Sequence, residues 1–201
     1  MTSAKKIAVL VSGGGTNLQA LIDARNEGNL GGGELSLVVS SASGVYALER
    51  AKNAGIKTIT IERNKYTQNS EFDSALAEVL LEHKIELIVL AGFLSVIGPR
   101  VTKVFENKII NVHPSLIPSF CGKGFYGLRV HKAVLEYGVK ITGATVHFVN
   151  DIIDGGKIIL QKAVEVLPDD TPESLQERVM REAEWVLLPK AVAMICRGEI
   201  F

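Results

Sequence analysis

The chain has 201 residues, 47% of them apolar, with 22 basic and 22 acidic side chains and no formal net charge. That length and apolar content fit one domain with a substantial core, and the even charge argues against nucleic acid or an acidic membrane surface as partner. Cys121 and Cys196 lie far apart without metal or redox spacing, and no apolar run is long enough for a membrane span or a signal core, so a reducing cytoplasm is the expected compartment.

Short β-branched runs alternate with helical patterns from the start. Ile7–Val11 reads as a strand and Leu18–Glu27 as a helix. Between them lies Ser12-Gly13-Gly14-Gly15-Thr16-Asn17. Glycines here let backbone amides approach an anion, and the helix N-terminus adds exposed N–H groups and a positive dipole end. Thr16 and Asn17 can donate further hydrogen bonds. The dinucleotide fingerprint would put a third glycine where Leu18 stands, and the Walker lysine is missing, so the loop reads as a site for one phosphate rather than for NAD or ATP. A tight βα turn without a ligand is the plainer reading. Leu35–Ser40, after a glycine loop tip at 31–33, is a strand; Tyr46–Ala54 is a helix and Thr58–Ile61 a strand. Phe72–His83 is a helix with Phe72, Leu76, Val79 and Leu80 on one side. Leu87–Ala91 is nearly all apolar, as in a parallel strand covered on both faces. The loop after it leaves the sheet where ligands of such folds bind. Val101–Phe105 is a short helix and Ile109–Val112 the next strand. This rhythm predicts an α/β fold with a Rossmann-like, doubly wound, mostly parallel sheet.

Asn111-Val112-His113-Pro114-Ser115-Leu116-Ile117-Pro118 follows. Asn111 and His113 are two apart, so an extended backbone sends both side chains from one face. Pro114 biases His113 toward that conformation. An amide and an imidazole at the mouth of a strand suit holding a carbonyl oxygen and moving a proton. A histidine bonded to its own loop is the alternative. Val130–Glu136 is a helix ending at Gly138. Ile141–Val149 and Ile158–Val166 are long runs joined by a loop holding Asp151, Asp154, Gly155 and Gly156, and they predict a C-terminal antiparallel hairpin. Asp154 before its glycines is, alone, ordinary turn chemistry. His147 lies on the core face of its strand. His83 and His131, at helix ends, read as capping or surface residues, and the four histidines have no zinc spacing. Cys121 has no nameable activating neighbour. Thr171-Pro172 starts a long C-terminal helix that runs toward Arg197, with Gly198 past its end and a kink expected near Pro189.

Three of these segments together resemble one family, the folate-dependent formyltransferases. Asn111–Pro118 resembles the signature N-x-H-P-S-L-x-P. His147–Gly156 resembles the second signature, H-F-V-x-x-x-x-D-x-G. Ser12–Gln19 resembles the phosphate loop of the branch whose acceptor is 5′-phosphoribosylglycinamide. The resemblance spans nearly the whole chain, as one formyltransferase domain with a phosphate-binding half (1–100) and a catalytic and folate-binding half (101–201).

The resemblance implies formyl transfer from 10-formyltetrahydrofolate, as co-substrate and without a metal, to the acceptor's amine, a step of de novo purine synthesis. It implies a catalytic Asn111–His113–Asp154 triad with His147 behind it. A carboxylate beside His113 would raise the imidazole pKa from about 6.5. Gly15, Thr16, Asn17 and Glu184 would bind the acceptor, Gly15 by leaving room for the phosphate. Leu94, Ser95, Val96 and Ile97, with Asn111 and Asn150, would bind the folate. Ser95 stands where relatives often carry arginine, and Asn69 where some do. The partners expected are these two small molecules, not nucleic acid or membrane, in a monomer or homodimer. A 10-formyltetrahydrofolate hydrolase is the nearest alternative, but it would carry a regulatory domain ahead of Lys5. A methionyl-tRNA formyltransferase would continue past Phe201. A non-catalytic nucleotide-binding module would be expected to lack one of the triad residues.

Overall fold

The computed structural model describes residues 4–200. Seven strands form one sheet: β1 Lys6–Val11, β2 Glu34–Ser40, β3 Lys57–Thr60, β4 Leu87–Leu90, β5 Ile109–His113, β6 Ile141–Phe148 and β7 Ile158–Glu165. Their order is β3-β2-β1-β4-β5-β6-β7. The first five pair in parallel, whereas β5–β6 and β6–β7 are antiparallel. The helices are α1 Thr16–Asn26, α2 Tyr46–Asn53, α3 Asn69–Glu82, α4 Pro99–Val104, α5 Leu128–Tyr137, α6 Pro172–Val179 and α7 Trp185–Cys196. The doubly wound sheet with a C-terminal hairpin is as the sequence predicts, and boundaries move by one to three residues.

Alternation along β1 divides the core. Ile7, Val9 and Val11 join the layer that includes Leu18 and Leu21 of α1 and Leu188 and Val192 of α7. Ala8 and Leu10 face the opposite layer, with Phe72, Leu76 and Leu80 of α3 and Val101 of α4. A strand buried on both faces must be apolar throughout, which is why β1 and β4 read as continuous runs.

The strand order reverses between β1 and β4, and in such sheets the C-terminal strand ends there open a crevice. The Ser12 N–H donates to the Gly92 carbonyl at 3.1 Å, tying together the two loops that leave those ends. His113 ends β5, beside β4.

The C-terminal helix departs from expectation. Its irregularity is a wide turn at Met180–Glu184, between α6 and α7, and Pro189 lies inside α7. The carbonyl that the Pro189 ring crowds belongs to Trp185, the residue where the wide turn ends. The irregularity of this helix thus lies ahead of Pro189.

Candidate active site

The antiparallel register of β5 on β6 pairs Asn111 with His147 and His113 with Thr145. All four side chains thus leave one face of the sheet, as the two-residue period requires. The Asn111 amide nitrogen lies 3.3 Å from His147 Nε2. His147 Nδ1 lies 2.8 Å from the Phe148 carbonyl, which can only accept, so a neutral ring carries its proton on Nδ1 and takes one from Asn111 on Nε2. His147 is 1% exposed and lies against the Asn111 amide.

His113 is 4% exposed and extended. Its Nε2 lies 2.9 Å from the Phe120 carbonyl and its Nδ1 3.6 Å from Asp154 Oδ2. Asp154 Oδ2 also accepts the Gly122 N–H at 2.8 Å, and Asp154 Oδ1 lies 3.7 Å from His147 Nε2. The carboxylate therefore stands between the two imidazoles. It reaches them from the β6–β7 loop with φ 55°, a left-handed conformation that aspartate tolerates better than most residues. Asn111, His113, Asp154 and His147 form one cluster.

The expected rise in the His113 pKa is not found. Burial is the largest influence and holds it below 6.5; Asp154 and the Phe120 carbonyl push it up, and His147 pushes it down. An imidazolium loses more hydration on burial than one carboxylate 3.6 Å away restores. For Asp154, burial opposes ionisation, but the His147 ring, the charge of His113 and the Gly122 amide together hold the carboxyl below its usual range.

Thr145 fixes the proline loop. Its hydroxyl donates to the Ser115 carbonyl at 2.7 Å and accepts from the Ile117 N–H at 3.1 Å and from Gln161 at 2.9 Å. Ser115 in turn donates to the Ser119 carbonyl at 2.6 Å. Sequence reasoning missed these contacts, although Thr145 stands two residues before His147 and so shares its face.

His131 corrects another expectation. It is fully buried, on the α5 face that holds Val130 and Val134, and neither ring nitrogen has a hydrogen-bond partner among the described residues. Burial and the nearby His113 push its pKa down to about 4. His131 precedes Val134 by three residues, which puts both on the buried face of α5. His83 does cap: it ends α3, and its Nδ1 lies 2.9 Å from the Val79 carbonyl. Burial and Asp154 push the Cys121 thiol up, which disfavours a thiolate nucleophile.

The glycine loop opens α1 with Gly15 at the cap position, φ 73°, and no side chain capping the helix. The first amides of α1 are thus left for a ligand or water. Gly15 has a steric reason to be glycine besides phosphate access. A Cβ there would meet Ala47 Cβ at 2.6 Å, whereas Gly13 and Gly14 face open space. Arg50 of α2 donates to the Gly14 carbonyl at 2.9 Å and to Gln19, placing a cation beside the loop that the sequence did not single out.

Thr16 and Asn17 direct their side chains inward. The Thr16 hydroxyl faces Met180 sulfur at 3.8 Å, and the Asn17 amide donates to Glu184 Oε2 at 2.6 Å. Glu184, carried by the wide turn, is 6% exposed. Burial, against the Asn17 hydrogen bond, pushes its carboxyl up to about 7. A protonated carboxyl has a proton to offer, and Asn17 Oδ1 is a buried oxygen without a donor among the described residues. Between about pH 4.5 and about 7 the unfolded carboxyl has lost its proton and the folded one has not, so stability falls as pH rises through that window. Glu184→Gln should flatten that fall. In thermal melts at about pH 8 it should raise Tm by at least about 2 °C, the shift produced by about 1 kcal/mol in a domain of this size.

Leu94 and Val96 are 63% and 58% exposed at the mouth of β4, where a flat heterocycle could lie. Asn150 is not drawn to them. Its oxygen accepts the Ile152 N–H at 2.9 Å and its nitrogen faces the Gly155 carbonyl, so the side chain serves its own loop. Among the described residues, no helix is long and apolar enough to cross a membrane.

The formyl transferase family profile matches residues 5–192. A phosphoribosylglycinamide formyltransferase of Haemophilus influenzae is 39% identical over 98% of this chain and 89% of its own length. The trifunctional purine biosynthetic protein adenosine-3 of Gallus gallus is 46% identical over 99% of this chain, which spans only 19% of that protein. The crystal structure of glycinamide ribonucleotide transformylase 1 from Symbiobacterium toebii superposes with a TM-score of 0.92 at 40% identity, covering 98% of this chain and 90% of that one.

Proposed function

The chain belongs to the formyl transferase family, and we propose that it moves the formyl group of 10-formyltetrahydrofolate to the amine of 5′-phosphoribosylglycinamide, a step of de novo purine synthesis. The observation that carries this reading is the meeting of Asn111, His113 and Asp154 in one cluster on a sheet whose switch point also presents an uncapped glycine loop.

In this reading the glycine loop and the N-terminus of α1 hold the 5′-phosphate. Gly15, Thr16, Asn17 and Glu184 shape that end of the site, and Arg50 adds positive charge. Leu94–Ile97 hold the pterin. The acceptor amine attacks the formyl carbon, so holding the two substrates in line is a large part of the rate. Negative charge develops on the formyl oxygen. The second N–H of the Asn111 amide, free of His147, donates to it. His113 Nε2–H donates too, exchanging the Phe120 carbonyl for the oxyanion. The resting imidazole is the uncharged form favoured by burial. The oxyanion on one side and Asp154 on the other then raise its proton affinity as the transition state forms. The amine's proton passes, by way of Asp154 and water, to the folate nitrogen that leaves. The products are the formylated amine and tetrahydrofolate, with no metal required. We infer a cytoplasmic monomer or homodimer, the compartment resting on the two unpaired thiols.

Formyl-folate consumption should be slow alone and rise steeply with phosphoribosylglycinamide, because binding energy from the remote phosphate positions the amine. Glycinamide lacking the ribose phosphate should be a poor substitute. Following deformylated folate under the three conditions tests this. Equal consumption without any acceptor would make the protein a hydrolase instead.

A further inference from the structure

The loop from Gly92 to Gly98, between β4 and α4, is clamped at both ends by side chains from elsewhere in the chain. At its start the Leu94 N–H donates to Ser12 Oγ at 2.9 Å, and the Ser12 N–H donates back to the Gly92 carbonyl at 3.1 Å. Ser12 Oγ also lies 2.6 Å from Ser41 Oγ. At its end the Asp73 carboxylate accepts the N–H groups of Gly98 at 2.7 Å, Arg100 at 2.8 Å and Val101 at 3.4 Å. Asp73 is 1% exposed and sits on α3 between Phe72 and Leu76, in an otherwise apolar layer.

A carboxylate in such a layer costs stability unless its oxygens are fully bonded, and here it also satisfies backbone N–H groups that an apolar residue would leave without an acceptor. All three donors come from the end of this one loop and the first turn of α4. What the charge adds is therefore a fixed path for the loop. Gly98 approaches so closely that a Cβ there would lie 2.7 Å from Asp73 Oδ2.

We propose that Ser12 and Asp73 are positioning residues for the folate co-substrate, setting the span between Gly92 and Gly98 so that Leu94–Ile97 meet its heterocycle. This rests on the folate reading of that segment. Ser12 is the sharper case. It opens the glycine loop, where a hydroxyl would ordinarily be assigned to phosphate. Its oxygen is instead committed to Leu94 and Ser41, so the folate, not the acceptor, should feel its loss.

The test compares wild type with Ser12→Ala, Ser12→Thr and Asp73→Asn. It measures KM for each substrate, kcat, and the Kd of folic acid, which carries the pterin but no formyl group. Ser12→Ala should raise folate KM and Kd about tenfold, the scale of one lost hydrogen bond, with acceptor KM changed by less than about twofold. Ser12→Thr keeps the hydroxyl and should restore folate binding. Asp73→Asn turns an amide N–H toward a backbone N–H and should weaken folate at least as much. Should that variant not fold, the folate Kd of Ser12→Ala decides alone. Variants that bind folic acid as wild type does, or a Ser12→Ala that weakens only the acceptor, overturn the inference. A wild type that binds no folic acid overturns the folate reading, and the inference falls with it.

Discussion

His113→Ala is expected to lower kcat by about 10²- to 10³-fold, the loss typical of one oxyanion donor, with much smaller changes in either KM. The ring is pinned between the Phe120 carbonyl and Asp154, so its geometry is set before substrate arrives. It has little ground-state contact to lose, because the Nε2 proton is already engaged by protein. In the proposed mechanism the interaction with substrate comes into being as charge moves onto the formyl oxygen, and an interaction of that kind appears in kcat. Because His113 is 4% exposed, the deletion also leaves a cavity, and a thermal melt of the variant separates lost chemistry from lost fold. Steady-state kinetics decide the matter. A folded variant turning over at near the wild-type rate removes His113 from the mechanism.

Asp154→Asn should cost about 10²-fold or more in kcat, within the range for a group that manages a proton in the transition state. The wild-type carboxylate accepts from Gly122 at 2.8 Å and faces an imidazole with each oxygen. Asparagine has one acceptor in place of two, so it cannot face both rings as the carboxylate does. The sign of the effect on His113 follows from its surroundings. Its pKa is held low by burial and partly lifted by Asp154, so removing the charge drops it further. Titration of the His113 ring signals by NMR measures this directly. An unchanged midpoint would break the pairing, whatever the kinetics showed.

Much of this was legible in the chain. Strands β1 and β4 announce themselves because burial on both faces requires unbroken apolar runs. Asn111 and His113 share a face through the two-residue period alone, and the resemblance supplied Asp154. Other features were not legible, for identifiable reasons. The Asn111–His147 contact depends on the register of β6 against β5, which no local pattern encodes. His131 faces inward because it lies three residues before Val134 in α5, a helix that begins after Gly127, where the apolar pattern is too short to mark its start. The wide turn at Met180–Glu184 carries no proline or glycine. It brings Glu184 to Asn17, a partner 167 positions away. The direction of the His113 shift is not legible in the sequence, because a neighbouring charge can be inferred from it, while the loss of hydration depends on how tightly everything else closes over the ring.

The seating of Gly15 against Ala47 bears on how natural variation at the glycine loop should be read. Position 15 is closed to larger residues twice over, by its left-handed backbone and by the neighbouring helix. Selection for folding alone would hold it invariant, even in a descendant that had lost all use for a phosphate. Gly13 and Gly14 border open space and carry no such burden. Among homologues of this chain, retention of those two glycines is the informative record of ligand use, and drift there, with position 15 unchanged, would mark a lineage that kept the fold after relinquishing the substrate.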